Sequence, residues 1–254
     1  MNSKDKALKE IIESSDYIFH SIGGKIKEIN IIPLSMFATI VDIANDIQIL
    51  YGKKRLSSAT ILLRSLIDSL FDLFLLELDI NNIHYLRYRD LNITKNHNEL
   101  FLNPKNAEYS GNEETRISYQ LENKELKFLL KELKRNGYEY KNLNMKFQLT
   151  NAQIFHKTVY QYLNKEVHNS FNILEKRHFY IGKDGRRKLK YLAEYSEGEY
   201  PVFDPLVISF IFATNSIRKV LNIVDSSPIL NMVNLANEHL ENKIGEQEIG
   251  QLAQ

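Results

Sequence analysis

The chain has 254 residues, of which 43% are hydrophobic, and a net charge of +1. This length allows a sizeable core, and the near-neutral charge gives no overall field favouring nucleic acid or a membrane. The absence of cysteine excludes disulfides, thiolate zinc sites and cysteine nucleophiles. It also fits a reducing compartment, and the N-terminus lacks the apolar stretch of a signal peptide. We therefore expect a cytoplasmic protein.

The ten glycines and five prolines are few breakers for this length, which predicts long helices. Residues 3–29 form a charged amphipathic pattern, with Gly23-Gly24 as a point of disturbance. Apolar periodicity and capping residues predict further helices over residues 34–51, 57–78, 81–102, 113–135, 150–163, 201–223 and 226–243. Polar residues interrupt the apolar stretch at 202–224, so it predicts a buried helix rather than a membrane span.

Asp184-Gly185 lies between alternating flanks and predicts a β-hairpin near residues 178–192. The fold class predicted is therefore all-α, a multi-helix bundle with a small hairpin insertion. We interpret residues 1–254 as a single helical domain. Its predicted parts are an N-terminal helix (1–30), a core (34–174), the hairpin insertion (175–198) and C-terminal helices (201–254).

The third predicted helix carries its polar residues on one arc, which comprises Ser57, Ser58, Arg64, Ser65, Asp68, Ser69 and Asp72. That arc either faces water or lines an internal cleft. Because the rest of the helix is apolar, we predict that the helix is central and that Arg64 is largely buried. Asp68, four residues further on, is placed to pair with it.

A second polar row lies about one hundred residues later. His156, Tyr160, Asn164 and His168 recur at four-residue spacing, which places them on one ridge if the segment is helical. Such a ridge either holds a ligand or forms a hydrogen-bonded seam between helices. A lone histidine such as His168 is more often structural than catalytic, and imidazole suits both roles.

These two segments resemble a known family. Residues 62–73 (LLRSLIDSLFDL) resemble the core helix of the bacterial domain-of-unknown-function family 5677, in which an Arg precedes an acidic residue by one helical turn. Residues 160–170 (YQYLNKEVHNS) are similar to its tyrosine-rich segment ending in a Val-His pair, and residues 85–90 (YLRYRD) to its Tyr/Arg-rich helix. The resemblance covers residues 34–174 and implies no particular reaction.

A broader resemblance is to the HEPN superfamily of helical domains that act on nucleotides and RNA, many of them ribonucleases in toxin or phage-defence systems. Their signature places an Arg shortly before a His on one helix. Here Arg89 lies too far before His97 for that spacing, and no Arg stands at residues 161–163 ahead of His168. The resemblance therefore implies an Arg–His pair assembled across helices, from Arg64 and His168.

The strongest basic cluster lies on the predicted hairpin. It comprises Arg186, Arg187, Lys188 and Lys190, beside Tyr180 and Tyr191. Basic residues among aromatics suit single-stranded nucleic acid. Lysine and arginine on exposed strands also serve to block aggregation, so both interpretations are open.

Metal and cofactor sites find little support in the sequence. The histidines lack HxxxH or HxxE spacing, and no glycine-rich phosphate loop or serine elbow is present. Asp42 with Asp46 and Asp68 with Asp72 form carboxylate pairs, but neither pair is part of a Glu-x-x-His element, which di-metal bundles combine with such carboxylates. We therefore expect neither a metal nor a cofactor.

Two functions follow as hypotheses. In the first, the chain is a metal-independent ribonuclease or other nucleic-acid-acting effector of a bacterial toxin or phage-defence system. Arg64 would stabilise the phosphate, His168 would be the general acid or base and Tyr160 would orient it, with Asp68, Asn164 and His156 in support. In the second, the chain is a non-catalytic module that binds a protein partner or senses a ligand, and these residues form a structural seam.

The predicted helix at residues 113–135 carries a surplus of apolar side chains, comprising Leu121, Leu126, Phe128, Leu129, Leu130 and Leu133. Helical effectors often complete a cleft across a twofold axis. We accordingly expect a homodimer that binds RNA or a protein partner, and no membrane association.

Overall fold

The structure is a computed structural model. It describes residues 3–22, 26–109, 112–139, 143–150, 156–161, 163–164, 179–189, 202–240 and 244. The described residues form α-helices with one small antiparallel sheet, which confirms the predicted all-α class with a hairpin. By their internal packing the residues fall into two compact units, Met1–Glu77 with Phe147–Gln254, and Leu78–Lys146.

The first predicted helix is two helices, α1 (Ser3–Glu13) and α2 (Asp16–Ser21). The described break lies at Ser14 and Ser15. Gly23 and Gly24, the predicted point of disturbance, lie outside the described residues. The Ser14 hydroxyl donates to the Glu10 carbonyl at 2.7 Å, and the Ser15 hydroxyl donates to the Ile12 carbonyl at 2.7 Å. Serine side chains that bond nearby carbonyls compete with the helical ladder, which explains an interruption the apolar pattern did not indicate.

Helix α3 (Ile31–Gly52) follows a short 3₁₀ turn at Glu28–Asn30, and α4 spans Leu56–Leu78. Helix α4 starts at Leu56, ahead of Ser57 and Ser58, either of which suits an N-cap by composition. It buries one face along its first half and nearly its whole circumference from Leu70 to Leu76. The aromatic rings of Phe71 and Phe74 meet edge-on at 5.5 Å.

The polar residues on the arc of α4 differ in their burial. Ser58 and Ser65 are exposed, Arg64 and Asp68 are half-buried and Asp72 is buried. The Arg64 side chain keeps 26% of its surface accessible, so it is less deeply buried than predicted. The arc therefore lies at an edge of the packed helices, covered at one end and open at the other.

After a 3₁₀ turn at Ile80–Asn82, the second unit contains α5 (Ile83–Leu102), a 3₁₀ segment (Pro104–Tyr109) and α6 (Glu113–Arg135). Helix α6 has the predicted bounds, because the Asn112 side chain caps its N-terminus and Gly137 follows in the left-handed conformation, with φ of 83°. Of its surplus apolar residues, Leu126 and Leu130 are buried, whereas Leu121 and Phe128 are 65% and 63% exposed.

The short helix α7 spans Leu143–Leu149, and His156–Tyr160 forms one turn of π-helix. The C-terminal helices are α8 (Phe203–Val220) and α9 (Ser227–Asn237). Helix α8 is buried along most of its length and packs against α1, α3 and α9. This packing accords with the predicted buried helix at residues 202–224.

The hairpin pairs β1 (Phe179–Ile181) with β2 (Arg187–Leu189) in antiparallel register, with Tyr180 opposite Lys188. Gly185 in the turn has φ of 71°, the left-handed region that glycine adopts readily. The strands are shorter than the predicted segment, and residues 190–192 lie outside the described part of the chain.

One helix in the described part of the chain, Glu28–Gly52, is long and apolar enough to cross a membrane by length and composition. Its most apolar window has a mean hydropathy of 1.2, and 28% of that window is buried. Core helices of soluble proteins and N-terminal signal sequences meet the same criterion. The expected lack of membrane association therefore stays a prediction.

Candidate functional site

The predicted polar residues of α4 meet the π-helical segment. Arg64 and Asp68 lie one turn apart on α4, and Tyr160 and Asn164 are also four residues apart. The Tyr160 side chain is 1% exposed and its ring meets Phe147 edge-on at 5.4 Å. A π-turn widens a helix by one residue per turn, and such turns occur frequently at functional sites.

Four side chains form one hydrogen-bonded cluster, which we call the Arg64 cluster: Arg64, Asp68, Tyr160 and Asn164. Arg64 donates from Nε to Asn164 Oδ1 at 2.6 Å and from Nη2 to the Tyr160 hydroxyl at 2.9 Å. The Tyr160 hydroxyl in turn donates to Asp68 Oδ1 at 2.9 Å. The tyrosine thus links the cation to the carboxylate.

Arg64 and Asp68 form the ion pair that the sequence predicted. Arg64 Nη1 and Asp68 Oδ2 are 3.8 Å apart, beyond hydrogen-bonding distance. The guanidinium also lies over the Tyr160 ring, with its carbon 5.3 Å from the ring centroid. Neutral acceptors therefore take the hydrogen bonds of Arg64, while Asp68 contributes an ion pair without a direct hydrogen bond.

Burial raises the pKa of the Tyr160 hydroxyl to about 12, and the neighbouring Asp68 carboxylate adds to this rise while Arg64 opposes it. Tyr160 is consequently neutral at physiological pH and acts as a hydrogen-bond donor to Asp68. It is unsuited to be a general base. The orienting role suggested for Tyr160 stays a prediction.

Several predicted site residues fall elsewhere. His168 and Lys190 lie outside the described residues, and of His156 the structure describes the backbone only. Of the described basic hairpin residues, Arg186, Arg187 and Lys188 are all exposed. The Arg187 guanidinium lies 5.9 Å from the centroid of the Phe179 ring, which is 41% exposed.

One residue of the site, Phe147, was not predicted from the sequence. Phe147 is 1% exposed, and its ring meets Phe71 at 4.3 Å and Tyr160 at 5.4 Å. It thereby fixes the tyrosine ring against α4. A single aromatic residue in a short segment gives no signal of such a role, which depends on contacts distant in sequence.

Among the described residues, no group of three His, Cys, Asp or Glu side chains is arranged to hold a metal ion. Asp42 and Asp46, one of the two carboxylate pairs noted in the sequence, are exposed on α3.

We predict that Tyr160→Phe lowers the free energy of unfolding by about 1–2 kcal/mol, since Asp68 loses its donor and Arg64 one acceptor. Urea unfolding followed by circular dichroism measures this loss. The matched control is Tyr180→Phe on the hairpin, where the side chain is 45% exposed and we expect a change within about 0.5 kcal/mol. Equal losses in both variants would contradict the bridging role.

Comparison with known families matches the chain to one of them. A sequence profile described as a family of unknown function, DUF5677, matches residues 30–188, which is more than half of the chain. The matched range includes all of the Arg64 cluster and most of the hairpin, and it excludes α8 and α9. No curated protein and no solved structure matches the chain significantly.

Proposed function

We propose that this chain, which belongs to the DUF5677 family of unknown function, is a metal-independent ribonuclease or related RNA-acting effector in which Arg64 contacts a phosphate. Such an enzyme fits a bacterial toxin or phage-defence system. The cytoplasm is the compartment we propose for it.

The observation that carries the proposal is the set of partners around Arg64. Neutral oxygens of Asn164 and Tyr160 take one N–H from Nε and one from Nη2. A guanidinium has five N–H donors, so donors remain for a ligand, and 26% of the side chain is accessible. The Asp68 carboxylate lies 3.8 Å from Nη1 and takes no direct hydrogen bond from Arg64. The oriented guanidinium therefore keeps donors for an anion, and phosphate suits its planar fork.

RNA cleavage without a metal uses the 2′-hydroxyl of the substrate as nucleophile. In the proposed reaction a base removes the proton from this hydroxyl, and the oxygen attacks the adjacent phosphorus. The 5′-oxygen leaves with a proton from an acid, giving a cyclic phosphate and a 5′-hydroxyl. We assign the proton transfers to His168, which follows Asn164 by four residues in the sequence. Arg64 stabilises the charge on the phosphate.

The hairpin supplies a second contact with RNA in this proposal. Arg186, Arg187 and Lys188 carry exposed cationic groups, and Phe179 offers an exposed ring beside Arg187. Phosphates contact such cations and bases stack on such rings, without dependence on sequence. Lys190, which lies outside the described residues, extends the same basic run.

A second candidate function rests on the hydrogen bonds that the residues of the Arg64 cluster make with one another. Asp68, Tyr160 and Asn164 bond to Arg64 or to one another, which is also the arrangement of a structural seam between helices. In that case the chain is a non-catalytic module that binds a protein partner or senses a ligand. The expected homodimer is compatible with both candidates.

Incubation of the purified chain with single-stranded RNA in excess EDTA tests the first candidate. We expect cleavage to products with cyclic phosphate ends, and we expect His168→Ala to abolish it. His20→Ala is the control, because His20 is exposed on α2 and should leave the rate unchanged. Intact RNA with the wild-type chain, or equal rates in both variants, would favour the non-catalytic module.

A further inference from the structure

A cavity of about 340 Å³ lies in the second unit. His97, Leu100 and Phe101 from the last turns of α5 line it together with Asn106 from the following 3₁₀ segment. The described residues of this lining include no Lys, Arg, Asp or Glu. The cavity is therefore suited to a neutral group, and its volume falls in the range of small-molecule sites.

The aromatic wall of the cavity is fixed by its neighbours. The Phe101 ring stacks on Tyr119 of α6, with centroids 5.3 Å apart and planes 22° apart. His97, one turn earlier on α5, meets Phe101 edge-on at 4.7 Å. Because Tyr119 holds the Phe101 ring from α6, a flat surface is present before any ligand binds.

Asn106 provides an oriented polar group beside this wall. Its Nδ2 donates to the Leu100 carbonyl at 3.0 Å, which fixes the plane of the amide. One N–H and the carbonyl oxygen of the side chain remain for a ligand. An asparagine amide matches the donor and acceptor pattern of a base edge.

From these three observations we infer that the cavity binds a nucleobase. A planar, uncharged ring with donors and acceptors on its edge fits a stacking wall next to a fixed amide. The exposed Lys105 directly precedes Asn106, so a cation is available for the phosphate attached to that base. The base comes either from single-stranded RNA or from a free nucleotide.

If the base belongs to RNA, this inference deepens the proposed function, since the cavity then holds a nucleotide of the substrate outside the Arg64 cluster. The base-binding property does not itself require cleavage. Binding of an RNA that cannot be cleaved therefore tests the base site without testing the proposed reaction. RNA with 2′-fluoro groups lacks the nucleophile of the proposed reaction and serves this purpose.

The probe is a 2′-fluoro oligonucleotide that contains 2-aminopurine, whose fluorescence is quenched when it stacks on an aromatic ring. A second arm uses the 2-aminopurine mononucleotide alone. The variants are Phe101→Leu, which removes the ring but keeps an apolar side chain, and Asn106→Ala, which leaves the wall intact. The matched control is Phe128→Leu on α6, where the ring is 63% exposed. Circular dichroism confirms that each variant is folded.

We expect quenching by the wild-type chain and binding weaker by about 5- to 150-fold in Phe101→Leu, the range typical of a lost stacking contact. Asn106→Ala should also weaken binding, and Phe128→Leu should not. Quenching of the oligonucleotide alone would show that the site binds RNA. Quenching in both arms would show that it also binds free nucleotides. Each of these results supports a nucleobase site.

Absence of quenching in both arms would overturn the inference, as would equal affinities for the Phe101→Leu and Phe128→Leu variants. Equal affinities for wild type and Asn106→Ala would overturn it if Phe101→Leu proves unfolded. In those cases the cavity is better suited to an aromatic side chain of a protein partner. The proposed reaction is tested separately from base binding, because cleavage depends on Arg64 and His168 and is measured on unmodified RNA.

Discussion

Substitution of Arg64 by alanine is expected to slow RNA cleavage by about 10²- to 10³-fold, the usual effect of removing one donor to a developing negative charge. The guanidinium is held by Asn164 Oδ1 at 2.6 Å and by the Tyr160 hydroxyl at 2.9 Å, and its loss removes an oriented cation from the cluster. Single-turnover cleavage of a short RNA in EDTA measures the change, because it separates chemistry from product release.

Two further variants test whether the loss of activity depends on the planar guanidinium of Arg64 rather than on its charge alone. Arg64→Lys keeps the charge but has no planar set of donors to span Asn164 and Tyr160, so most of the activity should still be lost. Arg135→Ala removes an arginine whose side chain is 78% exposed at the end of α6, and it should cleave at the wild-type rate. Full activity in Arg64→Ala, with the fold intact by circular dichroism, would refute the catalytic role.

The largest expected loss of stability comes from Phe71→Ala, at about 3–5 kcal/mol. Phe71 is 1% exposed on α4, and its ring meets Phe74 at 5.5 Å and Phe147 at 4.3 Å. Truncation removes two aromatic contacts and leaves a cavity that these neighbours fill only in part. Urea unfolding followed by circular dichroism measures the change in unfolding free energy.

Phe128→Ala is the matched control for this prediction. The same atoms are removed, but the Phe128 ring is 63% exposed on α6, and we expect a loss below about 1 kcal/mol. A small loss for Phe71→Ala would show that α4 is not the buried helix described above. A comparable large loss for Phe128→Ala would show that this ring is covered in solution, as the expected homodimer would require.

The sequence by itself determined the features that depend on neighbours along the chain. Few breakers and apolar periodicity predicted the helical class. The bounds of α6 were predicted correctly, with its end at Asn136-Gly137, because helix termination is a local property. Asp184-Gly185 located the hairpin, and the four-residue spacing of Arg64 and Asp68 placed both side chains along one side of α4.

Helix boundaries at serine residues were harder to predict, because a serine hydroxyl can bond to the backbone in more than one way. The break between α1 and α2 arises from serine hydroxyls that bond to carbonyls one turn back, and the same residues occur inside intact helices. Likewise, Ser57 and Ser58 satisfy the composition of an N-cap, yet α4 already begins at Leu56. In both places the sequence allows two arrangements, and packing selects one of them.

Tertiary structure alone decided which partners Arg64 has. Tyr160 and Asn164 lie 96 and 100 residues further along the chain, and Phe147 reaches the same place from a third segment. The sequence predicted Asp68 as the partner of Arg64, since it is the nearest carboxylate along the helix. That ion pair is present at 3.8 Å, and folding added a buried tyrosine hydroxyl that accepts from the cation and donates to the carboxylate at once.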